Sequence, residues 1–210
     1  MHGKPAFIFN GWGKKPKKWD QFGVKNHLQG GKTVLVYWCP GNHEDWWDLK
    51  HEKGYISGPI EVQPGVFYMQ RGEILRLPDG RNILFMGGAE SIDKDLRVMG
   101  RDWFPEEIIT QADIETLPDP DEVGIDIVIS HTCPREFHDE IFKVEKSSRI
   151  RAKFEDPSML ALSYILHTYR PGMWFFGHFH LVKNGTYNNT KWFCLHMAPY
   201  SGWWMELPEG

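Results

Sequence analysis

The chain has 210 residues, enough for one domain that buries roughly 70% of the surface its unfolded form exposes. With 24 basic and 28 acidic residues the formal net charge is −4, which speaks against a general nucleic-acid-coating role, since that needs a basic footprint. No apolar run approaches the ~18 residues that span a bilayer, and Cys39, Cys133 and Cys194 are scattered without a CxxC pair. The expectation is a soluble, cytoplasmic protein with no disulfide framework and no membrane partner.

Residues 6–9 read as a first strand and 10–13 as a loop. Lys14, Lys15, Lys17 and Lys18 form a basic cluster around Pro16, best explained as a solvated loop, and residues 19–28 have a weak helical period interrupted by Gly23. Residues 33–39 are β-branched, aromatic and aliphatic, as in a strand covered on both faces, and Pro40-Gly41 ends that strand. It delivers Asn42, His43, Glu44 and Asp45 into a loop, and in an open α/β sheet ligands gather just beyond the carboxyl ends of strands. Residues 46–53 continue as helix or turn.

Residues 65–69 and 73–77 read as a hairpin pair, and 78–81 as a turn into a strand at 82–86. That strand ends in the small residues 87–91, and Asp93, Lys94, Asp95 and Arg97 beyond it suit a cleft wall or a charged surface loop equally. Pro105-Glu106-Glu107 opens a short helix through residue 109, and 110–117 form another. A β-branched run at 125–130 ends at His131. Residues 134–156 are polar, aperiodic and read as a cap or lid segment. Asp156 caps a helix that starts at Pro157 and runs to Tyr169. A third apolar run, 173–176, ends in Gly177-His178-Phe179-His180; strands are expected at 191–197, with His196 as a structural residue, and at 203–207. There is no internal repeat, so residues 1–210 read as a single α/β domain.

Three strands that end in imidazole-bearing loops would bring Asn42, His43, His131, His178 and His180 to one rim of a sheet. Neutral imidazole and amide oxygen are ligands for borderline divalent metals. The i, i+2 spacing of His178 and His180 suits an extended loop whose alternate side chains point the same way. A single histidine is more often a packed structural residue; four at strand ends point to a metal site.

In this order, Gly41-Asn42-His43-Glu44, Ser130-His131 and Gly177-His178-Phe179-His180 resemble the calcineurin-like metallophosphoesterase superfamily. Residues 87–94 with Trp103-Phe104-Pro105-Glu106-Glu107 resemble its small bacterial and phage members. The resemblance implies a two-sheet α/β sandwich with two divalent ions such as Mn, Fe, Zn, Ni or Mg. It implies Asn42, His131 and His178 as ligands of one ion, His180 as a ligand of the other, and His43 near the leaving group as general acid or electrostatic stabiliser. The implied activity is hydrolysis of a small phosphomonoester or phosphodiester by a metal-activated hydroxide.

The resemblance lapses at the N-terminus. The family's opening Asp-x-His and its Gly-Asp are missing: Met1-His2-Gly3 and Phe7-Ile8-Phe9-Asn10-Gly11-Trp12-Gly13 stand where they belong. Two dications ~4 Å apart repel by on the order of 15 kcal/mol at an effective dielectric of ~20, and Asn10 has no charge to offset this. The expectation is therefore a domain lacking the family's first strand and helix, holding one ion and hydrolysing slowly. A catalytically degenerate binding protein of the same fold and a nuclease are the alternatives.

Overall fold

The computed structural model describes residues 6–7, 35–51, 58–63, 65–143 and 156–208. The expected helix at 19–28, the lysine cluster at 14–18, His2 and Asn10 lie outside them. The apolar runs condense into two sheets. The first has the order β1 (Ala6–Phe7), β2 (Val36–Trp38), β4 (Val66–Tyr68), β3 (Ile60–Gln63). The second has the order β5 (Ile74–Arg76), β6 (Asn82–Met86), β7 (Ile127–Ser130), β8 (Met173–Phe176), β10 (Thr190–Cys194), β9 (Lys183–Tyr187).

In the second sheet β6, β7, β8 and β10 are mutually parallel, and the edge strands β5 and β9 pair antiparallel. A parallel sheet survives only when both faces are covered, and the side-chain alternation along each central strand supplies two apolar faces. Ile83, Phe85, Ile127, Ile129 and Phe175 point one way and pack with Cys39, Met69, Tyr37 and Phe67 of the first sheet. Leu84, Met86, Val128, Trp174, Phe176 and Trp192 point the other way, onto the helices. Those helices are α2 (Gln111–Glu115), α3 (Arg135–Phe142) and α4 (Pro157–Tyr169). On the outer face of the first sheet, Val36, Trp38, Val66 and Tyr68 form a smaller cluster with Leu49 of α1 (Trp46–His51). The result is a two-sheet α/β sandwich, as expected.

Local chemistry explains the helix boundaries. Thr110 and Asp113 form a reciprocal capping box at the start of α2. Asp156 accepts the Ser158 N–H at 2.8 Å and Pro157 opens α4 with its fixed φ. Helix α3 occupies the front of the segment read as a cap or lid, and it is anchored by Phe137, which is fully buried among Trp174, Phe176 and Trp192. Residues 144–155, the rest of that segment, lie outside the described residues.

Other expectations fail. Residues 65–69 and 73–77 do not pair: β4 lies in the first sheet, while β5 pairs with β6 in the second. The hairpin partner of β4 is β3, which the polar Glu61 and Gln63 concealed. Strand β9, a sheet edge with the polar sequence Lys-Asn-Gly-Thr-Tyr, had no hydrophobic run to announce it. The helix at 105–109 is a single 3₁₀ turn over Pro105–Glu107. Residues 203–207 are not a strand; Met205 and Leu207 instead lay apolar side chains against the inter-sheet core. Among the described residues no helix is long and apolar enough to cross a membrane.

Candidate metal centre

The central strands are parallel, so their carboxyl ends share one edge of the sheet. There Gly177 donates its N–H to the His131 carbonyl at 3.0 Å, and Gly88 donates to the Pro40 carbonyl at 2.8 Å. The second bond joins the loop after β6 to the loop after β2, hence one sheet to the other. Contact is so close that a Cβ at Gly87 would lie 2.5 Å from the Pro40 carbonyl oxygen. The β2 loop is folded on itself as well. Gly41 donates its N–H to Glu44 Oε2 at 2.6 Å, and the Trp46 indole donates to the Gly41 carbonyl at 3.1 Å. Arg71 stacks 4.4 Å over Trp46 and donates to the carbonyls of Gly87, Glu106, Glu107 and Ile108.

This scaffold brings together three of the expected residues. Asn42 is buried, and its Oδ1 stands 3.0 Å from His131 Nε2, which is in turn 3.2 Å from His178 Nδ1. The amide orientation is fixed from behind. Asn42 Nδ2 donates to Ser91 Oγ at 3.0 Å, and Ser91 accepts there because its own hydroxyl donates to Glu107 Oε2 at 3.0 Å. Glu107 also takes the Ser91 N–H at 2.5 Å and the Trp103 indole N–H at 3.0 Å.

The donor set fits a divalent ion. Two neutral imidazole nitrogens and a carbonyl oxygen face one another, and a single shared proton leaves at least one lone pair directed at another. One cation satisfies all three. Ligands ~2.1 Å from an ion and ~90° apart are ~3 Å from each other, which matches the 3.0 and 3.2 Å edges seen here. Space is reserved too: a Cβ on Gly41 would come 2.6 Å from the His131 ring. Among the described residues no three His, Cys, Asp or Glu side chains are placed to hold an ion, so the set depends on the Asn42 amide as its third donor.

Burial holds the imidazoles in their ligand form. It pushes the His131 pKa well below its ordinary value and that of His178 down to about 4, with the neighbouring imidazoles adding to the effect. His43 is lowered by burial and then by the Arg97 guanidinium, against an opposing pull from Asp93. Two nearby carboxyls move up. Desolvation raises Glu44 to about 8 and Glu107 to about 7.

His43 and His180 lie at the margin of this cluster. Arg97 Nη2 is 3.3 Å from His43 Nε2, and His180, which is exposed, stacks toward His196 with ring centroids 6.4 Å apart. The 178–180 loop is not extended as its i, i+2 histidines suggest: both residues have left-handed backbones (φ 66° and 53°), so the loop coils. Such conformations are uncommon outside glycine and are held only where the surroundings enforce them. His196 is not inside a strand. It follows the end of β10, where its Nδ1 accepts the Met197 N–H at 2.9 Å.

The sequence offers Arg97 as a cleft-wall or surface-loop residue alike and His196 as a structural one, and it marks neither Ser91 nor Glu107 as a site residue. The signal for Ser91 was its place just after β6, on the same rim as the histidines; Glu107 and Arg97 reach the site through loops whose course the sequence does not dictate.

A family model for calcineurin-like phosphoesterases matches residues 8–182. Among solved structures the chain is similar to a phosphopantetheinyl hydrolase from Mycobacterium tuberculosis, at 14% identity over 89% of this chain and 80% of that one, with a TM-score of 0.43. No curated protein matches.

Proposed function

Because the chain belongs to the calcineurin-like phosphoesterase family, we propose that it hydrolyses a small phosphoester with the aid of a divalent ion held by Asn42, His131 and His178. One observation carries this reading: His131 Nε2 lies 3.0 Å from Asn42 Oδ1 and 3.2 Å from His178 Nδ1. An ion bound there supplies Lewis-acid polarisation of a phosphoryl oxygen and a nucleophile available at neutral pH.

The chain's own residues do the remaining work. Ser91 and Glu107 hold the Asn42 amide with its oxygen toward the site, so the ligand is oriented before anything binds. The neutral rings of His131, buried, and His178, half-buried, need no deprotonation on binding. His43, beside the cluster, faces the reacting phosphoryl group and stabilises the charge that develops on it. His180, at the open edge, belongs to the second ion position of the family.

The experiment is metal analysis of the purified protein by mass spectrometry, with turnover of p-nitrophenyl phosphate and of bis-p-nitrophenyl phosphate in Mn²⁺. We expect bound ion and turnover, both lost in His131→Ala. A wild-type protein with neither would overturn the reading.

A further inference from the structure

The segment from Ser91 to Trp103 inverts the usual pattern of burial. Ile92, Leu96, Val98 and Met99 stand in water, Ile92 at 80% and Leu96 at 89% exposure, whereas the Arg97 side chain is turned inward and is 11% exposed. Inside, the guanidinium meets an imidazole: Nη2 lies 3.3 Å from His43 Nε2. It is fixed there by Asp93 Oδ1 at 2.8 Å and by the Asp102 carbonyl, 3.1 Å from Nη1.

Asp93 and the Asp102 carbonyl hold the guanidinium in place, but neither requires an imidazole beside it. The guanidinium has no acceptor capacity and is always charged, so at His43 it can only donate to a neutral ring. It gains little from that ring and opposes positive charge on it. Asp93 takes one side of the guanidinium, and an anion that arrives from outside at His43 would meet another. A guanidinium fork matches two oxygens of a phosphoryl group, and a charge-assisted pair of this kind is about twice as strong as a neutral hydrogen bond.

We propose that Arg97 is a substrate-binding residue that clamps the terminal phosphoryl group and makes the site selective for phosphomonoesters over phosphodiesters. This rests on the hydrolase reading above. A monoester is a dianion at neutral pH with three peripheral oxygens, enough to meet the ion and the guanidinium at once. A diester has one negative charge and two such oxygens, and its second alcohol group occupies the place where the guanidinium would reach. Since Arg97 donates to Nε2 of His43, the neutral ring carries its proton on Nδ1. The two side chains then act as a pair, side by side toward the phosphoryl group.

The test compares wild type, Arg97→Ala and Arg97→Lys in Mn²⁺ on p-nitrophenyl phosphate and bis-p-nitrophenyl phosphate, with inorganic phosphate affinity measured by calorimetry. Arg97→Ala is expected to lower kcat/KM for the monoester by on the order of 30- to 100-fold and that for the diester by no more than about 3-fold. Phosphate affinity should fall by about 10-fold or more, with Arg97→Lys between the two and bound Mn²⁺ unchanged. Equal losses on both esters, or unchanged phosphate affinity, would overturn the proposal. Wild-type protein that cleaves neither ester overturns the hydrolase reading, and the phosphate measurement then decides the clamp alone: weaker binding in Arg97→Ala supports it, and no binding by wild type removes it.

Discussion

Ser91 and Asn42, 49 positions apart in the chain, meet where the Asn42 amide nitrogen donates to the Ser91 hydroxyl at 3.0 Å. The bond decides which end of the amide faces His131. Removing that hydroxyl frees the amide to turn over and present its NH₂ group, which cannot bind a cation. Ser91→Ala is therefore expected to weaken divalent-ion affinity by about 10- to 100-fold with little change in the circular dichroism spectrum. Competition with a chromogenic chelator reads this directly; unchanged affinity would mean that the amide is oriented by something else.

Gly41 tests the space around the ion. A methyl group there would overlap the His131 ring, 2.6 Å away, and the ring is enclosed and cannot retreat without leaving its partners. Gly41→Ala should lose bound ion while keeping a cooperative thermal transition. Retention of a full equivalent of ion would show that the ring has room to shift.

His43 and His131 should separate cleanly. His131→Ala removes a ligand and should abolish ion retention. His43→Ala should keep the ion and lower kcat alone, because the role assigned to His43 belongs to the transition state. Ion loss in the His43 variant would place that residue among the ligands.

Glu107 gives a pH dependence that needs no metal. Desolvation raises its pKa from the ordinary 4.5 to about 7, so across that window the folded protein binds more protons than the unfolded chain. Stability from this group is full below pH ~4.5 and is lost as the pH rises toward and through 7. In chelator-treated protein, the decline in Tm between pH 5 and 7.5 should be shallower in Glu107→Gln than in wild type. Parallel curves would contradict the assignment.

Much of the architecture could be read from the chain because buried parallel strands are continuous apolar runs. Residues 82–86, 125–130 and 173–176 announce themselves, and each is followed at once by polar residues, so the rim that brings Asn42, His131 and His178 together was legible. The edge strands were not. Strand β9 and the Glu61 and Gln63 positions of β3 need no apolar face. Register between strands was equally hidden, so β4 and β5 were paired with each other although they lie in different sheets. What supports the donors was hidden for another reason. The Ser91–Glu107 bond and the Arg97–His43 contact span 16 and 54 positions through loops, where no periodic pattern dictates direction. The coiling of the 178–180 loop is likewise a tertiary outcome, imposed on two histidines that carry no glycine-like signal.

The folded core also invites a test, since α3 sits in a segment that looked polar. Phe137 is fully buried against Trp174, Phe176 and Trp192. Phe137→Ala should cost about 3–5 kcal/mol of unfolding free energy in urea titration. A loss below about 1 kcal/mol would mean that the helix is not docked as described.

The most direct measurement is anomalous diffraction from crystals equilibrated with Mn²⁺, recorded above and below the metal's absorption edge. A single strong peak in bonding contact with Asn42 Oδ1, His131 Nε2 and His178 Nδ1 is the expected result. A map with no peak among these three atoms, while their positions remain as described, would contradict the account.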